Sequence, residues 1–182
     1  MKRFTFGTPE KLVPSSYCKG FNYVETPVSY PESRFETRMT PRGFLIEFPI
    51  EDDAHIYGFG LQLKQFDQRG RKLRLAVNAD PTSANGDSHA PVPFFVTNKG
   101  YGMYFDTARY IEVYCGYKKH TGAVKADNGE SRVMTSTDEL YAVRESCGAV
   151  MSVLIPGAQG VDVYVFEGKK ITDIVWELAE PA

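Results

Sequence analysis

Apolar and polar residues alternate along most of this chain, with the two-residue period of β-strands that bury one face. The clearest case is the sequence GFLIEFPI at residues 43–50, where a run of β-formers meets a proline near its end. Short runs of this kind predict strands at residues 43–50, 56–61, 72–77, 93–97, 101–106, 110–115, 140–144, 149–155 and 161–166.

Turn sequences separate these runs, which favours antiparallel neighbours joined by short connections. They lie at residues 68–70, 97–100, 127–129 and 156–157, and residues 98–100 join two runs as tightly as a hairpin loop does. The segment 8–40 differs from the rest, because it carries Pro9, Pro14, Pro27 and Pro31 among many Ser, Thr and Tyr residues. We predict mostly irregular chain there.

One helix is predicted, close to the end of the chain. Its apolar residues recur at i, i+3, i+4 and i+7, which is one face of a 3.6-residue period; they are Ile171, Ile174, Val175 and Leu178. Thr172 and Asp173 are both candidates to cap its first turn. This apolar face needs a neighbour, yet the chain ends at Ala182. We therefore expect the chain to be cut from a longer protein near a domain boundary.

These elements predict an all-β fold, an antiparallel β-sandwich of two stacked sheets followed by a C-terminal helix. The length of 182 residues suits one domain, and 42% hydrophobic residues with 13% aromatic residues are enough for a sizeable core. We expect residues 1–182 to form a single domain. Its exposed sheet edges and uncovered helix face make a homo-oligomer possible.

Charge and composition exclude several classes of partner. The net charge is −2, and the densest basic run, residues 69–74, is too short to suggest binding to a phosphate backbone or an anionic membrane. No apolar run approaches the roughly 20 residues of a membrane-spanning helix, and the N-terminus lacks the apolar centre of a signal peptide. We expect a cytoplasmic protein.

The cysteines also favour a cytoplasmic protein. Cys18, Cys115 and Cys147 are odd in number, widely spaced, and form no Cys-x-x-Cys motif. Reduced thiols in a cytoplasmic protein are the simplest interpretation, and a metal site or a catalytic thiol is the alternative. We predict no metal and no cofactor.

A long connection at residues 78–96, with the sequence NADPTSANGDSHAPVPFFV, is the candidate for function. The strand-like run stops at Asn78, Asp80 follows two residues later, and Asp87 and His89 come later in the same loop. An Asp before a proline is a good turn initiator, so Asp80 has a purely local interpretation. Asp87 fits a solvated loop carboxylate, and His89 fits a structural residue, a hydrogen-bond donor of a pocket or a mutarotase-like acid.

Several short segments occur in an order that resembles the N-terminal, galactose mutarotase-like domain of glycoside hydrolase family 31, the α-glucosidase and α-xylosidase family. The segments are IYGFG (56–60), RG (69–70), NAD (78–80), PFF (93–95), GYGMYFD (100–106) and VDVYVFEG (161–168), with IV at 174–175. The resemblance covers about residues 43–178 and does not extend to residues 1–42.

The resemblance implies that catalysis and part of substrate binding lie in two different domains. In such enzymes the N-terminal β-sandwich packs on a (β/α)8 barrel, which supplies two catalytic aspartates for a reaction that retains the anomeric configuration. A loop of the sandwich reaches over the mouth of the barrel, and an Asp in its Asn-x-Asp stretch can bind the sugar. By position that residue is Asp80. A carboxylate suits this role, because it can accept hydrogen bonds from two neighbouring sugar hydroxyls.

The chain by itself is predicted to contain no catalytic residues. Retaining glycoside hydrolysis needs two carboxyl groups roughly 5 Å apart, and the family's Trp-x-Asp-x-Asn-Glu type of nucleophile segment does not occur here. The expected partners are an α-glycoside and the catalytic barrel of the same chain. Two alternatives stay open: a free-standing aldose mutarotase, which needs a facing His and Glu, and a carbohydrate-binding module.

Overall fold

The part of the chain that the structure describes is a β-sandwich of two five-stranded antiparallel sheets with one short helix. The computed structural model describes residues 1–10, 24–78, 85–120 and 146–179, except the side chains of residues 119, 120, 146 and 147. One sheet has the strand order β1-β10-β7-β6-β4 and the other the order β2-β3-β9-β8-β5. The predicted fold class is therefore confirmed.

The elements follow one another along the chain with mostly short connections. The strands are β1 Lys2–Thr8, β2 Glu36–Thr40, β3 Gly43–Ile50, β4 Ile56–Gly58, β5 Lys72–Leu75, β6 Phe94–Thr97, β7 Tyr101–Asp106, β8 Ile111–His120, β9 Ser146–Pro156 and β10 Gln159–Glu167; the helix α1 is Ile171–Ala179. A single 3₁₀ turn, Glu32–Arg34, precedes β2.

The core lies between the two sheets and is rich in phenylalanine. Phe48 of β3 is almost fully buried, and its ring stacks on Phe95 of β6 and Phe105 of β7 at centroid distances of 6.2 and 6.4 Å. Phe35, just before β2, meets Phe48 edge-on at 5.4 Å. Because these rings come from both sheets, the aromatic contacts hold the two layers together.

The predicted strands in the interior of each sheet are present, and the differences fall on the edges. β1 and β2 were not predicted, and β2 lies in the segment that the prolines marked as irregular. Both are edge strands, and the side chains of β2 are mostly exposed, so the apolar alternation that identifies a half-buried strand is absent from it. The predicted strand at 140–144 lies outside the described residues.

The hairpin predicted at residues 98–100 is confirmed. β6 and β7 pair in antiparallel register, with Val96 opposite Gly102, and the hydroxyl of Thr97 donates to the carbonyl of Tyr101 at 2.9 Å across the turn. Gly100 has a φ of +81°, the left-handed conformation that tight turns need.

Helix α1 covers part of the outer face of the first sheet. Ile174 is fully buried against a cluster that includes Phe94, Val96 and Phe166, and Leu178 packs at its margin. Of the two predicted capping residues, Asp173 caps the first turn: its carboxylate accepts a hydrogen bond from the backbone N–H of Lys170 at 3.0 Å.

The predicted apolar face of α1 is only partly used. Ile171 and Val175 stay exposed, together with Trp176. No helix in the described part of the chain is long and apolar enough to cross a membrane.

Cys115 is the one cysteine whose side chain is described, and it lies in the core. Burial raises the pKa of its thiol to about 12, so the sulfur stays protonated at neutral pH. This agrees with the structural interpretation of that residue. Cys18 and the side chain of Cys147 lie outside the described residues.

Asp106, at the end of β7, supplies a prediction about pH. It pairs with Asp162 of β10 across the sheet, and partial burial together with the charge of Asp162 raises the pKa of the Asp106 carboxyl. Because the folded-state pKa lies above the unfolded value, the folded chain loses stability as the pH rises from about 4 through that window. Asp106→Asn should therefore raise the unfolding free energy at pH 7 by on the order of 0.5 kcal/mol, after allowance for solvent screening.

The gain should shrink as the pH falls below about 4, because aspartates with an ordinary pKa of about 3.9 then become protonated in the unfolded state too. Urea unfolding at pH 7 and at about pH 3 measures both effects. Asp53→Asn is the matched control with opposite sign, because the Lys99 ammonium at 2.6 Å lowers the pKa of Asp53. A gain from Asp106→Asn that is equal at both pH values would contradict the assignment.

Candidate functional site at the loop face

Two loops connect the sheets at one side of the sandwich. Loop A, residues 59–71, runs from β4 at the edge of the first sheet to β5 at the edge of the second. Loop B, residues 76–93, returns from β5 to β6 and is described at 76–78 and 85–93. Loops A and B together form what we call the loop face.

A backbone bend starts loop A. Gly58, Phe59 and Gly60 have φ angles of +119°, +62° and +77°, so the chain leaves the strand after Gly58. The predicted strand at 56–61 is therefore too long: these glycines mark a bend, although their spacing resembles strand alternation. Phe59 is fully buried, its N–H donates to the carbonyl of Phe94 at 2.7 Å, and its ring lies 5.6 Å from that of Phe95.

Side chains bond to the backbone of loop A and hold it in place. The amide of Gln62 donates to the carbonyls of Phe59 and Gly86, at 3.2 and 3.0 Å, and so joins loop A to loop B. Gln68 is buried, and its amide donates to the carbonyls of Gln65 and Phe66. Such bonds satisfy backbone groups that no strand partner reaches.

Asp67, near the C-terminal end of loop A, ties the loop to the first residue of β4. One carboxylate oxygen accepts the N–H groups of Ile56 and Arg69 at 3.1 and 3.0 Å, and the other lies 2.6 Å from Nδ1 of His55. Burial opposes ionisation of this carboxyl, but these hydrogen bonds outweigh it and lower the pKa of Asp67. Asp67 is thus a charged structural residue with both oxygens engaged.

The stem of loop B is fixed by backbone hydrogen bonds. The N–H of Asn78 donates to the carbonyl of Ser88 at 2.9 Å, and the N–H of Ser88 donates to Ala76 at 3.1 Å. The N–H of Arg74 donates to the carbonyl of Asn85 at 2.6 Å. Asp80 lies outside the described residues, so its contact with a sugar stays a prediction, but the residues on both sides of segment 79–84 are held against the sandwich.

Asp87 and His89 follow that segment. Asp87 takes part in a local turn, in which its N–H donates to the side-chain oxygen of Asn85 at 3.0 Å and its carboxylate accepts the Asn85 amide at 3.2 Å. His89 is exposed. Neither His55 nor His89 lies on a strand, so these two histidines do not form the His and Glu pair on a sheet face that a mutarotase would need.

A water-sized cavity lies between the loops. It has a volume of about 10 Å³ and is lined by Leu61, Gln62, Leu63, Lys64, Arg71, Asp87, Ser88 and His89. The hydroxyl of Ser88 and one oxygen of Asp87 are buried there without a protein partner. Such a volume holds about one water molecule and no sugar ring. In the space between loops A and B, donors and acceptors therefore converge without forming a complete sugar pocket.

Metal chemistry has no evident site in the part of the chain that the structure describes. No three His, Cys, Asp or Glu side chains converge there in a way that would hold an ion.

Comparison with known proteins identifies the family. The sequence profile of the glycosyl hydrolase 31 N-terminal galactose mutarotase-like domain matches residues 17–113. The chain therefore belongs to this family of N-terminal domains. No curated protein sequence matches it.

Three solved structures resemble this chain, and the first of them supports the fold. A GH31 dextranase from Flavobacterium johnsoniae, complexed with glucose, superposes with a TM-score of 0.53 at 18% identity, over 84% of this chain and 15% of that one. A cycloalternan-forming enzyme from Listeria monocytogenes gives 0.48 at 23% identity, over 72% of this chain and 10% of the other. A cycloalternan-degrading enzyme from Trueperella pyogenes gives 0.46 at 20%, over 74% and 16%. The chain thus spans a small fraction of the length of these enzymes.

Two glycines with nearly equal backbone angles test the contact between loops A and B. A Cβ at Gly60, where φ is +77°, would lie 2.0 Å from the carbonyl oxygen of Ala90, whereas a Cβ at Gly70, where φ is +76°, would meet nothing within 4 Å. Gly70→Ala should cost about 1 kcal/mol, the strain of a left-handed alanine.

Gly60→Ala should cost the same strain plus the clash, about 3 kcal/mol or more in all. Urea unfolding of the two variants measures the difference. Equal losses of stability would show that loop A can move away from the carbonyl of Ala90 at no cost, and would contradict the predicted clash.

Proposed function

We propose that this chain is the N-terminal domain of a retaining α-glycosidase and that it completes the substrate site of a catalytic barrel in the same polypeptide. Membership of the GH31 N-terminal domain family is the observation that carries this proposal. The parent reaction is hydrolysis of a terminal α-linked sugar by double displacement, which needs no cofactor. The domain contributes a wall of the site and no catalytic residue.

The described carboxylates of the loop face support an accessory role. Asp67 has both oxygens engaged by backbone N–H groups and His55. Asp87 has one oxygen on the Asn85 amide and the other buried. A retaining enzyme needs one carboxylate free to attack and a second free to transfer a proton. Neither of these aspartates is free in that way.

The stem of loop B limits where Asp80 acts. Asp80 is two residues from Asn78, so covalent geometry keeps their Cα atoms within about 7 Å of each other. Asn78 is itself bonded to Ser88. A carboxylate at this distance from a fixed point accepts hydrogen bonds from two hydroxyls of a sugar that is held by the catalytic domain. Asp80 is thus proposed as a substrate-binding residue.

Kinetics of the full-length polypeptide test the role of Asp80. Asp80→Asn keeps the size of the side chain and removes its charge. Because hydrogen bonds to charged groups are worth about 1.5–3 kcal/mol, kcat/KM for an aryl α-glycoside that the enzyme hydrolyses should fall roughly 10- to 100-fold. Asp52→Asn, in an exposed turn between β3 and β4, is the matched control and should leave kcat/KM unchanged. Equal rates for both variants would refute the substrate role.

The isolated chain of 182 residues supplies a second prediction. It should hydrolyse no α-glycoside, should not accelerate the mutarotation of fresh α-glucose or α-galactose, and should bind these sugars too weakly for calorimetric titration. Mutarotation that His89→Ala abolishes would instead identify an aldose mutarotase. Sugar affinity measurable without the barrel would instead identify a carbohydrate-binding module.

A further inference from the structure

A cleft opens at the end of the sandwich that lies opposite the loop face. Strand β6 starts after loop B and ends at the hairpin of residues 98–100, and this hairpin forms one wall of the cleft. The other walls are residues 29–31 with Arg34, Glu51 just after β3, and residues 167–169 at the end of β10. The volume is about 560 Å³, which is in the range of small-molecule sites. We call it the hairpin cleft.

The acidic side chains of the hairpin cleft already have protein donors. The carboxylate of Glu167 accepts the N–H and the hydroxyl of Ser29, both at 2.7 Å, and the next backbone N–H at 2.8 Å. The carboxylate of Glu51 accepts the hydroxyl of Tyr101 at 3.1 Å and Nη2 of Arg34 at 3.3 Å. Each of the four carboxylate oxygens is therefore engaged by the protein itself.

The basic side chains of the cleft keep donors to spare. Lys169 is exposed and makes no hydrogen bond or ion pair with the residues that the structure describes. Arg34 bonds to described acceptors through Nη2 only. Lys99 lies 2.6 Å from Asp53, whose side chain is 80% exposed. Three basic side chains and two acidic ones line the cleft, so its net charge is positive.

A buried hydroxyl in the same wall lacks an acceptor. Tyr30 is 4% exposed, and its hydroxyl has no hydrogen-bond partner in the described part of the chain. Burial raises the pKa of this phenol, so the group remains a donor at neutral pH. The guanidinium of Arg34 lies over the ring, 4.5 Å from its centroid. A buried donor without an acceptor costs free energy, which an acceptor on a ligand would recover.

We propose that the hairpin cleft binds a small organic anion through a carboxylate or phosphate group. Such a group supplies acceptors to Tyr30, Lys169 and the remaining N–H groups of Arg34, and its charge complements the positive lining. The hydroxyl of Tyr30 is closed to solvent, so the side chain of Arg34 must shift to admit a ligand oxygen. The site lies at the opposite end of the sandwich from loop B, and it does not rest on the proposed function.

Calorimetric titration of the full-length polypeptide at low salt tests the site. The probes are glucose 6-phosphate and glucuronate, which carry the two candidate groups on similar rings, and glucose is the neutral control. Binding of glucose 6-phosphate alone would support the proposal with phosphate as the recognised group, and binding of glucuronate alone would support it with carboxylate. Failure of both anions to bind at millimolar concentration would overturn it.

Two variants with matched controls locate the bound anion. Tyr30→Phe keeps the ring and removes the hydroxyl, so the anion should bind about tenfold more weakly, whereas Tyr110→Phe beside the loop face should have no effect. Lys169→Gln should weaken binding about two- to fivefold at low salt and less at high salt, whereas Lys64→Gln on loop A should not. Glucose affinity should be the same in all four variants. Unchanged anion affinity in both Tyr30→Phe and Lys169→Gln would overturn the proposal.

Thermal unfolding of Tyr30→Phe in the full-length polypeptide gives a second readout. Without the anion, the variant should unfold at a slightly higher temperature than the wild type, because a buried donor without an acceptor has been removed. Addition of the anion should then raise the midpoint of the variant by less than that of the wild type. A lower midpoint without the anion would show that the hydroxyl is satisfied within the protein and would contradict the proposal.

Asp80→Asn separates this site from the proposed substrate site. The anion should bind this variant with unchanged affinity, whatever happens to kcat/KM. Loss of anion affinity in Asp80→Asn would place the anion at the substrate site and would overturn the proposal. A role for Asp80 in catalysis and an anion site at the hairpin cleft can therefore stand or fall separately.

Discussion

The position of the whole loop face depends on one buried residue, Phe59. Its ring packs on Phe95 in the core while its backbone adopts a left-handed conformation with a φ of +62°. That conformation costs a non-glycine residue about 1–2 kcal/mol, and burial of an aromatic side chain contributes about 1.5–3 kcal/mol. The core contact therefore offsets the strain. Because the ring cannot leave the core cheaply, the direction in which loop A departs is set by the packing of the sandwich.

Hydrogen bonds carry that constraint from loop A to loop B. Strand residues satisfy part of the backbone of loop A, such as the N–H of Gly70, which donates to the carbonyl of Cys115 in β8 at 2.6 Å. The side chains of Gln62, Gln68 and Asp67 satisfy further backbone groups. A buried group without a partner costs about 1–3 kcal/mol, so an alternative loop conformation would have to find equal partners. The side-chain amide of Gln62 donates to Phe59 of loop A and to Gly86 of loop B and so links the two loops. Loop B is therefore held twice, by Gln62 of loop A and by the backbone bond between Arg74 of β5 and Asn85.

How far the sequence predicts this structure depends on which side chains are buried. The inner strands β3, β7 and β10 were predicted because buried residues recur along them. β2 was missed because its side chains face solvent at an edge, where alternation carries no apolar signal. The bend at Gly58–Gly60 was read as strand because glycines two residues apart imitate alternation, and only the φ angles distinguish the two.

The candidate site was predictable only in part, for a related physical reason. Loop B was recognisable from its length, its prolines and its resemblance to the family. Its partner, loop A, was not: Gln62 and Gln68 are polar residues of an ordinary kind, and their importance lies in bonds to residues distant in sequence, such as Gly86. The exposed Leu63 and Phe66 were missed because an apolar residue in a sequence is normally assigned to the core.

The polar groups between loops A and B form no complete sugar pocket. The cavity beside Ser88 has room for about one water molecule, and the nearby aspartates are engaged in structural bonds. Under the proposed function, the substrate is held by a second body of protein in the same polypeptide, and the sandwich adds contacts to that substrate and does not enclose it.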